Sequence, residues 1–145
     1  MKVSHHFVRV VLVGVALAAS GVSQAACPAD ATSLASEIKV RDPGVLAALR
    51  DSIPGQIRKA GGAARYAGAI EALKLESIQQ RDQWKRTAQS TYGGAGNALA
   101  WPNGCSWPAS GTYCNALAVY QMNVDALAIY DLYSNAASCY RAEGL

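Results

Sequence analysis

The sequence predicts an all-α fold: a small bundle of four to five helices with a disulfide-stapled aromatic loop before the last one. Two observations carry most of this. The stretches 63–90 and 115–141 keep residues of like character at alternating spacings of three and four, which places them on common helical faces. Between them, 93–113 breaks the pattern with five Gly, two Pro and two Trp, and it leads directly into Cys114. A third observation, proline and glycine punctuation before residue 63, predicts that the opening helices are short.

Positions 1–25 have the pattern of an export signal. Lys2 and Arg9 supply a positive start, 10–19 is an uncharged apolar run of ten residues, and Ser23-Gln24-Ala25 offers small residues at both cleavage positions. The run is too short to span a bilayer, where about 20 residues are needed. The expected organisation is therefore a cleavable signal over 1–25 and one helical domain over 26–145, periplasmic or secreted. Cys27 would be the acylated residue of a lipid-anchored alternative, but Gln24 stands where that processing favours an apolar residue.

Removing the signal changes the composition. The 13 basic residues against 10 acidic become eleven against ten, and His5, His6 and the only Phe leave with the signal. A nearly neutral chain is a poor match for a phosphate backbone, so nucleic acid is not an expected partner. No later stretch is long and apolar enough to be expected to span a membrane.

All four cysteines, Cys27, Cys105, Cys114 and Cys139, follow the signal. An even count in an oxidising compartment predicts two disulfides. Cys105–Cys114 would flank the turn-rich segment, and Cys27–Cys139 would tie the N-terminus to the last helix. Without histidine or a Cys-x-x-Cys pair, neither a metal site nor a redox motif is expected, and no cofactor is implied.

Taken in order, 30–39 suits a short first helix. Asp42-Pro43 is a start signal, an acidic cap followed by proline in the first turn. Pro54 is expected to interrupt the helix it opens, and Gly61-Gly62 to end the region. In the long stretch that follows, Tyr66, Ile70, Leu73, Ser77, Gln80, Trp84 and Thr87 share one face, apolar at first and polar later. Its C-terminal half is expected to project toward water or a partner. The last helix, with Asn115 as the expected cap, carries two apolar seams on roughly opposite sides. One runs from Val119 through Ile129 and Tyr133 to Tyr140; the other joins Leu117, Tyr120, Val124 and Leu127. Such a helix is expected to be central, with the alternative that one seam stays open and Asp131 marks its charged end.

Catalysis finds little support in these residues. No Ser-His-Asp or Cys-His set is possible after the signal, and Gly93-Gly94-Ala95-Gly96 lacks the Lys-Ser/Thr and preceding strand of a phosphate loop. Paired carboxylates remain, with Glu76 and Asp125 as the candidates for a hydrolase.

The unusual feature is the aromatic content: three Trp and seven Tyr, every ring with a polar handle. Trp101-Pro102 and Trp107-Pro108 stand on either side of the cysteine at 105, and Pro102-Asn103-Gly104 is the expected turn between them. A stapled loop with Trp101, Trp107 and Tyr113 suits recognition of a protein, and flat indoles also suit sugar faces. The expected function is contact with a protein of the cell envelope, as inhibitor and immunity proteins or minor assembly components make, with no enzyme activity. Trp84, beside Gln79 and Gln80, is the candidate contact on the long helix. A glycan- or cell-wall-binding module using Trp101 and Trp107 is the alternative, and the carboxylate hydrolase the third.

Overall fold

A computed structural model describes residues 26–38 and 42–145. The expected signal, 1–25, lies outside the described residues. The chain is helical, with no strand among the described residues: a 3-10 turn at Thr32–Ser36, then α1 (Pro43–Ala48), α2 (Ile53–Ala60), α3 (Ala63–Thr91) and α4 (Thr112–Ala142). The small all-α fold and both expected disulfides, Cys27–Cys139 and Cys105–Cys114, are present.

Local chemistry sets the boundaries of the short helices. The Asp42 carboxylate accepts from the Gly44 and Val45 amides at 2.7 and 3.1 Å, opening α1 as expected. Pro54 does not interrupt a helix interior. Ser52 caps α2 by accepting from Gly55 N–H at 3.2 Å, and Pro54 sits in the first turn, where no amide donor is required. Gly61, at φ 83°, closes α2 in the left-handed region, with Gly62 N–H donating to Ile57 O at 2.9 Å. Of the first expected helix, 30–39, the described residues form only the 3-10 turn, with the Asp30 carboxylate accepting from the Thr32 amide and hydroxyl at its start, and residue 39 lies outside the described residues.

The long helices form an antiparallel hairpin. Lys74 on α3 meets Asp131 on α4 at 2.9 Å, Glu71 accepts from Ser134 at 3.3 Å, and the rings of Tyr92 and Tyr113 pack 4.9 Å apart. At one end, α1, α2 and the N-terminal segment close over the hairpin. Leu49, Ile53 and Ile57 are fully buried there with Ile70, Ile129, Ala136 and Ala137. Ala31 N–H donates to Leu49 O, and Ile53 N–H to Ala29 O, sewing the entering chain to α2. The Cys27–Cys139 bridge and the Tyr140 hydroxyl, which donates to Pro28 O at 3.2 Å, fix the same segment to α4.

Two expectations for α3 and α4 need correction. The C-terminal half of α3 does not project free of the molecule: Ser77 and Ala88 are buried along the hairpin, as are Ala116, Leu117 and Ala118 of α4. Small side chains let the two backbones run close where large apolar ones are lacking. Leu73 is 41% exposed, so the packed face turns through Lys74 and Ser77 instead. α4 starts at Thr112, with Asn115 N–H donating to Gly111 O, three residues before the expected cap. Its first seam buries Ile129, Tyr133 and Ala136, and its second buries Leu117, while Tyr120, Val124 and Leu127 are half-buried.

Two tyrosines sit inside the bundle. Tyr66 donates to the Gln56 amide oxygen at 3.0 Å and Tyr133 to Ala48 O at 3.2 Å, their rings 6.2 Å apart. Burial pushes both phenols above their usual 10.0, since an ionised ring would lose its hydration. With the folded pKa raised, the stabilising contribution is intact below about pH 10 and lost as pH climbs past it, because the unfolded chain ionises first. Alkaline unfolding is therefore expected above about pH 10, measured as loss of helical circular dichroism. Tyr66→Phe should flatten that pH dependence; an unchanged profile would show that Tyr66 ionises without unfolding.

Candidate functional site

The far end of the hairpin is closed by the loop joining α3 to α4, and Asn103 organises it. Cys105 N–H donates to Pro102 O at 2.7 Å, with Asn103 and Gly104 at φ 40° and 84° between them. Positive φ at both central positions is the geometry for which Asn-Gly is suited. The Asn103 amide then donates to the Tyr113 hydroxyl at 2.7 Å and to Asn97 O at 3.3 Å, while its oxygen lies 3.2 Å from the Tyr92 hydroxyl. Tyr113 donates in turn to Ala98 O at 2.8 Å. Cys105–Cys114 fastens the turn to the first turn of α4. The last residues of α3, the loop and the first residues of α4 thus form one cross-linked unit.

Within that unit the expected site residues separate. Trp107 is 37% exposed, whereas Trp101 is half-buried; both Trp-Pro bonds are cis. The loop therefore offers one open indole in place of a two-indole platform. Tyr113 is occupied: its ring lies on Tyr92 and its hydroxyl both accepts and donates inside the loop. Trp84 is half-buried on α3, its indole N–H donating to the Gln80 amide oxygen at 3.2 Å. Asp131 is exposed but engaged by Lys74, whose ammonium also lies 3.4 Å from Glu71. The hydrogen bond to Asp131 holds the Lys74 pKa above its ordinary value.

The two candidate carboxylates of a hydrolase, the third reading, are placed apart. Asp125 is only 5% exposed and accepts from the Gln121 amide at 3.2 Å. Together they line a cleft of about 390 Å³ between α4, the 3-10 turn and the start of the stapled loop. Leu34, Ile38, Leu99 and Val124 give it apolar walls, and Glu37 and Asn97 add polar groups. Glu76 is exposed on α3 and takes no part in this lining; the acid that shares the cleft with Asp125 is Glu37. Glu37 and Gln121 were not legible as site residues, although a Gln and an Asp four apart between two apolar seams is a signal for a polar notch. Among the described residues, Cys27, Cys139 and Glu143 come close enough to share a metal ion, but the two sulfurs are bonded to each other and offer no thiolate.

No described helix is long and apolar enough to cross a membrane. The two disulfides fit an oxidising compartment. Comparison with protein-family models, curated proteins and solved structures finds no match to this chain.

Proposed function

We propose that this is an exported protein of the cell envelope, periplasmic or secreted, that acts by binding another protein through its stapled loop. The observation that supports this is Trp107: an open indole on a turn fixed by a disulfide and by the Asn103 hydrogen bonds. Holding a large amphipathic ring in place before a partner arrives avoids part of the ordering cost of binding. Central tryptophans are frequent energetic anchors of protein interfaces. Inhibitor and immunity proteins and small parts of envelope assemblies work in this manner.

The test is capture of a stoichiometric partner from envelope extract by the disulfide-bonded chain. Trp107→Ala is expected to weaken that capture at least about tenfold, the loss of a typical interface anchor. Its melting temperature should stay close to that of the parent, since the ring is not part of the buried core. Repeated empty capture, or capture indifferent to Trp107→Ala, would count against the proposal. An exposed indole also suits a sugar face; sedimentation with cell-wall sacculi that Trp107→Ala abolishes would move the assignment to a glycan.

A further inference from the structure

The outward side of α3 carries an unusual run of small and apolar residues. The side packed along α4 includes Lys74 and Ser77, while the side facing away carries Ala64, Gly68, Ala69, Ala72 and Leu75, all exposed. Leu75 is 62% exposed, the most exposed large apolar side chain among the described residues. At 100° per residue, Gly68, Ala72, Leu75 and Gln79 fall within an arc of about 60°, roughly opposite the buried Tyr66, Ile70 and Ser77.

Gly68 is out of place on such a face. A glycine inside a helix costs roughly 0.5–1 kcal/mol relative to alanine. Among the described residues nothing explains it: a Cβ at Gly68 would have no atom within 4 Å. A glycine that no internal contact requires, beside two alanines on an exposed face, leaves room for another backbone to approach.

The charges on the face indicate whose backbone. Arg65 and Glu76 lie eleven residues apart, on the same side of the arc and at opposite ends of the small-residue stretch. Neither is in an ion pair among the described residues. A face with one sign at each end, small residues between and a leucine on the other flank is complementary to itself after a half-turn, and Glu71, at mid-height on the leucine flank, has its charge countered by Lys74 at 3.4 Å.

We propose that this face of α3 pairs antiparallel with the same face of a second copy, about a twofold axis level with Ile70 and Glu71. Arg65 then lies level with the partner's Glu76, twice by symmetry, and Leu75 lies over the partner's Ala64 and Gly68. The pairing is independent of the loop at the far end of the hairpin.

Sedimentation equilibrium of the disulfide-bonded chain, from micromolar to several hundred micromolar, tests it. A monomer–dimer equilibrium is expected. Arg65→Glu and Glu76→Arg should each weaken it at least about tenfold, and the double reversal should recover most of the loss. Gly68→Leu should abolish the dimer while leaving the monomer's melting temperature equal or higher, which separates lost association from lost folding. A chain monomeric throughout this range overturns the proposal and leaves the face to a different protein. A double reversal no better than either single change overturns it as well.

Discussion

Replacing Cys27 and Cys139 together by serine is expected to lower the stability of the chain by about 4 to 5 kcal/mol. The bridge closes a sequence separation of 112, and on the chain-entropy model a loop of that size restricts the unfolded chain by roughly that amount. Most domains have only about 5–15 kcal/mol in total, so a fall of roughly 15 °C in Tm is expected. What would remain to hold the N-terminal segment is non-covalent: the Tyr140 hydroxyl on Pro28 O, the amides of Ala31 and Ile53 on Leu49 O and Ala29 O, and the buried side chains of Ala31 and Ile38. The comparison that isolates loop length is Cys105→Ser with Cys114→Ser. That bridge spans a separation of 9, and the same model gives about 2 to 3 kcal/mol. Thermal unfolding of both double variants measures the difference. If the short bridge proved the more stabilising, residual structure in the unfolded chain would have to outweigh loop entropy.

Ile57→Ala is expected to cost about 2 to 5 kcal/mol, the range for emptying a fully buried branched side chain. Ile57 is 0% exposed and sits with Leu49, Ile53 and Ile70 in the core at the closed end of the hairpin. α2 has only eight residues, too few to hold a helix in water by propensity. Its existence depends on Ile53 and Ile57 being held against the hairpin, so the cavity and the loosening of α2 act together. Urea unfolding should show a lower midpoint with little change in slope. Leu75→Ala, on the exposed face of α3, is the control and should shift stability by no more than about 0.5 kcal/mol. An Ile57→Ala loss as small as that control would show that α2 is not integral to the core.

The parts of this fold that could be read from the sequence are those fixed by local chemistry. Asp42 before Pro43 is a cap wherever the chain goes afterwards, and Gly61-Gly62 ends a helix because only glycine reaches those φ values cheaply. The two cysteine pairs followed from chain order and compartment. Harder to read were features decided by neighbours distant in sequence. Leu73 shares a periodic face with Ile70 and Ser77, yet it is Lys74 that leans across α4, because Asp131 lies there to receive it. Trp84 and Gln80 look open to a partner in the sequence, whereas in the fold they bond to each other. In the loop, the Trp-Pro repeat draws attention to two indoles, while the organising residue is Asn103, whose role depends on tyrosines ten and eleven residues away. Pairing Glu76 with Asp125 fails for a simpler reason. Glu76 lies exposed on α3, whereas the cleft that Asp125 lines is formed by α4, the 3-10 turn and the stapled loop.

The hairpin itself has a mechanical consequence. Cys139, bonded to Cys27, and Cys114, bonded to Cys105, are both on α4, seven helical turns apart. At about 1.5 Å of rise per residue, that makes a rod of roughly 40 Å with a covalent clamp at each end. The two bridges thereby fasten the segments that flank α4 at both ends of that length, so that neither end of the rod can splay without breaking a covalent bond.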